Sequence, residues 1–203
     1  FVRQMLVDTQ PKTFSELVRI SGFSHGTDVW LNNAQNLITS GTVPLKEAVS
    51  TRDDIMNYLI QHGIKPKTSF KVMENVRKGK GIDKLNKLGQ KTTDYEGELK
   101  AGHIPQWFID SCHKIGYLFP KAHAVAYAIV CYQTAWFKCH YTKEYMAALL
   151  TSVLDSSEKV AEYIAECRDC GIHLLPPDIN ESEADFTVSG EHIRFGLVAV
   201  KGV

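Results

Sequence analysis

Stretch after stretch of this chain sets apolar residues three or four positions apart and ends in glycine, the pattern of short helices that bury one face. "PKTFSELVRISG" carries Phe14, Leu17, Val18 and Ile20 at that spacing and stops at Gly22. "FSHGTDVWLNNAQNLI" follows as a polar loop and then a helix holding Trp30, Leu31, Ala34, Leu37 and Ile38, broken by Ser40-Gly41. A helix from about Thr51 has Asp53 and Asp54 in its first turn, where carboxylates complement the positive end of the helix. "KPKTSFKVMENVRKGKG" gives a helix with Phe70, Val72, Met73 and Val76 as its core stripe. Residues 82–102 are polar and weakly periodic and read as an extended or mobile connection. "IPQWFIDSCHKIGYLF" is again amphipathic, and "AHAVAYAIVCYQTAWFKCHYTKEYMAALLTSVL" is helical throughout by pattern, its apolar start reading as buried. "SSEKVAEYIAECRDCGI" is an N-capped helix closed by Gly171. Only past "LLPPDINES" does the period change to two, around a Ser189-Gly190 turn that signals a β-hairpin. The fold class predicted is mainly α, with one short β-hairpin near the C-terminus and no internal repeat.

At 203 residues, 44% of them hydrophobic, the chain has the material for a core. Its longest apolar run, 124–131, falls far short of the roughly 20 residues that span a bilayer. It opens on Phe1 rather than Met and stops at "VKGV", which reads as a piece of something longer. Five cysteines without framework spacing suit a reducing compartment. The net charge is zero, but it is segregated. Residues 61–91 hold nine cations against Glu74 and Asp83, whereas 155–191 hold ten acids against Lys159 and Arg168. One region would attract polyanions and the other repel them, unless both are only solvated helix faces.

No metal site is predicted. "CRDCGIH" offers Cys167, Cys170 and His173 but no fourth ligand at zinc spacing. There is no nucleophile elbow, dinucleotide fingerprint or Walker-type loop either. Phosphate binding by side chains is the stronger idea. Lys71 and Lys78 lie seven residues apart, close to two helical turns, so on one helix they share a face about 10 Å apart. Arg77 and Lys80 extend this row of cations. In "GYLFPKAHAVAYAIV", Lys121 and His123 stand just past Pro120 at the start of an apolar helix, either as a solvated helix end or facing a ligand.

At these residues the chain resembles the C-family replicative DNA polymerases, the family of the bacterial DNA polymerase III alpha subunit. "FVRQMLVDTQPKTFSELVRISGFSHGTDVWLNNAQNLI", "RDDIMNYLI", "FKVMENVRKGKG" and "WFIDSCHKIGYLFPKAHAVAY" resemble the PolC type over the first 120 or so residues. From about Ala128, "AIVCYQTAWFKCHYTKEYMAALLTSVLDSSEKVAEYIAECRDCGIHLLPPDINES" and "IRFGLVAVKGV" resemble the DnaE type. The resemblance covers essentially the whole chain. It implies a helical fingers region over 1–175, followed at 176–203 by the hairpin and the start of a connection to a helix-hairpin-helix DNA-binding region. It further implies that Lys71, Arg77, Lys78, Lys80, Lys121 and His123 bind nucleotide or DNA, with Ser24, His25 and Asp28 as polar members of the same pocket. Asp28 equally suits a helix N-cap. No catalytic residue is expected within the chain, because the family's palm aspartates, which hold Mg2+, match nothing here. Expected partners are template-primer DNA, deoxynucleoside triphosphates, and the sliding clamp and other replisome subunits; no membrane is expected, and the location is the bacterial cytoplasm. A non-catalytic helical nucleic-acid-binding domain is the alternative.

Overall fold

The computed structural model describes residues 1–200 and 202 of the chain. They form two compact units, 1–129 and 130–203.

The first unit holds α1 (Val2–Thr9), α2 (Phe14–His25), α3 (Gln35–Thr39), α4 (Arg52–Gln61), α5 (Pro66–Val76), α6 (Tyr95–Ala101), α7 (Gln106–Lys114) and the start of α8 (Lys121–His140). Thr13 opens α2 with a reciprocal cap: its hydroxyl accepts the Glu16 N–H at 3.3 Å, and the Glu16 carboxylate accepts the Thr13 N–H at 3.1 Å. The Asp54 carboxylate accepts the Thr51 N–H at 2.9 Å and so closes the start of α4. Pro66, whose missing N–H costs nothing in a first turn, begins α5. The helices enclose one core in which Met5, Phe23, Ile55, Leu59, Val72 and Phe108 are fully buried or nearly so.

Three expectations need correction in this unit. Trp30 to Ala34 is not a regular helix: Leu31, Asn32 and Asn33 have non-helical backbone, and only α3 continues as α-helix. Residues 82–102 are not merely a connection. Ile82 and Leu99 are fully buried, and Asp94 caps α6 by accepting the Gly97 N–H. Leu99 is the one buried residue of that helix, too few for periodicity to register. In α5, Phe70 is 45% exposed, and the polar Thr68 and Ser69 take its place on the buried face. They can do so because their hydroxyls donate to the Glu98 carboxylate and the Lys65 carbonyl.

The second unit contains α9 (Thr142–Thr151) and α10 (Ser157–Asp169), with Ser156 capping α10. A three-stranded sheet completes it. β3 (His192–Arg194) lies between β1 (Leu174–Leu175), which it pairs in parallel, and β2 (Thr187–Ser189), which it pairs antiparallel. The β2–β3 turn is the one expected at Ser189-Gly190, with Gly190 in the left-handed region at φ 61°. β1 has only two residues, which leaves alternation nothing to show. Met146, Leu150, Cys167, Ile172, Phe186 and Ile193 form this unit's core.

α8 departs most from the sequence reading. Only Ala124 and Ala128 are buried, the latter group packing with Val18, while Tyr127, Ile129, Val130, Tyr132, Trp136 and Phe137 are exposed. Apolar residues lie all round this helix, so no single buried stripe can cover them. Among the described residues, no helix is long and apolar enough to cross a membrane.

Candidate functional site

The loop around Thr27, Arg77 and the start of α8 lie about one short extended segment, Gly116 to Phe119, which connects α7 to α8. Its backbone is gripped from several sides. The Thr27 N–H donates to the Tyr117 carbonyl at 2.9 Å, and the Thr27 carbonyl accepts from Gly116 and Tyr117. The Leu118 N–H donates to the Arg77 carbonyl at 3.3 Å, and the Arg52 N–H to the Phe119 carbonyl at 3.2 Å. The "SHGTD" loop, the basic end of α5 and the first turn of α4 are thus tied to the residues just ahead of Lys121. Two glycines make the contact possible. A Cβ on Gly79 would stand 2.4 Å from the Gly116 carbonyl oxygen, and one on Gly116 would stand 3.0 Å from the Asp28 carboxylate.

The α5 row does not stand as an array of unpaired cations. The helix ends at Val76, so Lys78 lies in the following turn rather than on a shared face with Lys71. Arg77 makes a forked pair with Glu74, and Lys78 reaches the same carboxylate at 3.2 Å. The Arg77 hydrogen bonds, with help from Lys78, hold the Glu74 carboxyl down at about 2 against an ordinary 4.5. Lys71 and Lys80 are exposed and make no ion pair among the described residues. Further along, the half-exposed Lys91 pairs with the buried Asp83 at 2.8 Å, so part of the basic surplus is already matched by an acid of the chain.

Lys121 opens α8, its side chain 47% exposed and its Nζ 4.0 Å from Asp54. His123 faces the ring of Phe119 edge-on at 5.8 Å. His25 stacks on Phe119 at 4.7 Å and 17°, and it also lies 4.9 Å from Tyr127. Ser24 turns its hydroxyl back to the Ser21 carbonyl and to His25 Nδ1. Asp28 has a left-handed backbone, φ 57°, and lies against Gly116 rather than capping a regular helix. The result is an aromatic cluster of the exposed His25, His123 and Tyr127 about the partly buried Phe119, with Lys121 two positions from Phe119.

Sequence reasoning missed Phe119, Tyr127, Thr27 and Asp53 as members. Tyr127 could have been found, because it lies four residues after His123 and therefore on the same helix face. Thr27 acts through its backbone, which carries no side-chain signal. Among the described residues, no group of three or more His, Cys, Asp or Glu is arranged to hold a metal ion.

The finger domain of the bacterial DNA polymerase III alpha subunit matches residues 1–97, and a helix-hairpin-helix motif matches 171–203. Full-length similarity is to PolC-type DNA polymerase III. The Thermotoga petrophila protein is 42% identical over 100% of the chain and 17% of its own length. That of Clostridium perfringens is 50% identical over 100% of the chain and 16% of its own length. That of Bacillus subtilis is 54% identical, over 74% of the chain and 10% of its own length. The chain belongs to the C-family of bacterial DNA polymerases, the family of the DNA polymerase III alpha subunit. The likeness to PolC-type proteins extends over the whole chain, including the part from about Ala128 expected to resemble the DnaE type. The chain spans less than a fifth of the length of these relatives.

Proposed function

We propose that residues 1–175 form the fingers region of a template-directed DNA polymerase and bind the incoming deoxynucleoside triphosphate, and that residues 176–203 lead into a DNA-binding helix-hairpin-helix region. The observation that carries this reading is the convergence of Arg77, His25 and the start of α8 on Gly116–Phe119. In it, Lys121, Arg77 and Lys78 neutralise charge on the phosphate tail, with Lys71 and Lys80 along its approach. Fixed cations are most effective where charge builds up on the leaving phosphates as the bond breaks. The aromatic cluster, including His123, offers a flat face for a base, since stacking contributes about 1–3 kcal/mol per base. Ser24 and Asp28 hold the loop that presents His25.

The reaction of the whole protein is addition of a deoxynucleotide to a primer 3′ end with release of pyrophosphate. Its Mg2+ ligands lie in other parts of the polypeptide. Template-primer DNA, the sliding clamp and other replisome subunits are partners of that whole protein in the bacterial cytoplasm.

Lys121→Ala in the full-length polymerase tests this reading. Its ion pair with Asp54 is long and half-exposed, so stability should change by less than about 1 kcal/mol. Single-turnover incorporation at subsaturating nucleotide should fall roughly ten- to a hundredfold. An unchanged incorporation rate would remove Lys121 from the site.

A further inference from the structure

A helix of 20 residues starts at Lys121, yet the residue before it offers no side-chain acceptor for the free N–H groups of its first turn. That residue is Pro120, whose carbonyl accepts the Ala124 N–H at 3.1 Å but whose ring carries no oxygen. The missing acceptor comes from far away in sequence. Asp53 Oδ2 accepts the Lys121 backbone N–H at 2.8 Å, across 68 positions of chain.

Asp53 and its neighbour Asp54 divide the work. Asp54 closes its own helix, accepting from Thr51 N–H, Ser50 N–H and the Ser50 hydroxyl, and it pairs with Arg19 at 3.2 Å. Asp53, one position earlier and pointing elsewhere on the same turn, is left to the start of α8. The Arg52 N–H bonded to the Phe119 carbonyl adds a second tie between the same two helix ends. Between them these bonds set where the first turn of α8 lies, and so where the Lys121 and His123 side chains point.

We infer that Asp53 is a positioning residue for nucleotide binding: it caps α8 from outside the helix and thereby aims Lys121 at the phosphates. This rests on the role proposed above for Lys121. A cation displaced by about 1 Å can cost a hundredfold in rate, so the mount matters as much as the charge.

The test uses the full-length polymerase, with single-turnover incorporation measured across nucleotide concentration, primer-template affinity measured separately, and thermal unfolding as a control. Asp53→Ala should raise the half-saturating nucleotide concentration roughly tenfold and leave primer-template affinity within about twofold. Asp53→Asn keeps an oxygen acceptor and should restore wild-type nucleotide dependence. Should Asp53→Ala fail to fold, Asp53→Glu serves instead, since its longer carboxylate shifts the helix end while keeping the charge. The decisive comparison is the double variant with Lys121→Ala. If Asp53 acts through Lys121, adding Asp53→Ala to Lys121→Ala produces a loss well short of the additive one, since only the aim of His123 is left to disturb.

Additive losses, or a normal nucleotide dependence in Asp53→Ala, would overturn the inference while leaving Lys121 in place. No effect of Lys121→Ala alone would instead remove the reading on which it rests.

Discussion

At the scale of single residues, the site depends on two backbones coming closer than any side chain would allow. Gly79 has φ 67° and packs against the Gly116 carbonyl. A Cβ there meets both a left-handed backbone and a steric clash with an atom that cannot swing aside. Gly79→Ala should therefore destabilise the first unit by roughly 1–3 kcal/mol from the backbone conformation alone, before the clash is added. A denaturant midpoint unchanged from wild type would show that the approach can relax. Residue chemistry was partly legible beforehand: the glycines of "RKGKG" read as helix breakers. What Gly79 touches was not, because Gly116 lies 37 positions away.

At the scale of elements, α6 shows how charge and burial together make a helix that periodicity does not reveal. Leu99 anchors it, Asp94 caps it, and Glu96 pairs within the helix with Lys100 at 2.7 Å and ties it outward to His113 at 3.1 Å. The Lys100 hydrogen bond is the main reason the Glu96 carboxyl sits at about 2 rather than 4.5, with His113 and Lys91 adding to it. A carboxylate with a lowered folded value stabilises fully above its unfolded value and loses that contribution as pH falls towards the folded one. Together with Glu74, also lowered to about 2, this places an acid-sensitive window between pH 4.5 and 2. The urea midpoint of the chain should fall through that window, and Glu96→Gln should flatten the fall. A variant with the same slope as wild type would exclude Glu96 as a contributor. Where the elements themselves were visible, as in α2, α10 and the Ser189-Gly190 hairpin, local caps and turn residues made them so. They failed to show where tertiary contacts replaced local signals, as in α6 and at Trp30 to Ala34.

At the scale of the whole molecule, α8 is the element that most needs more protein around it. Val130, Tyr132 and Phe137 are each at least 50% exposed, which is a large amount of apolar surface on one helix. The 203-residue chain on its own should therefore bind a hydrophobic dye such as ANS, and replacing Val130 and Phe137 together by serine should lower the signal markedly. A chain that binds no dye would show that this surface is covered. The polymerases that the chain resembles are about seven times as long. The helical class, the hairpin, the segregation of charge and the family were all readable from the residues in order, because periodicity, turn chemistry and long specific runs are properties of neighbours in the chain. Which ring stacks on His25 and which carboxylate caps α8 were decided only by the fold. Those contacts join positions dozens of residues apart, and nothing in a local stretch records the partner that folding will bring to it.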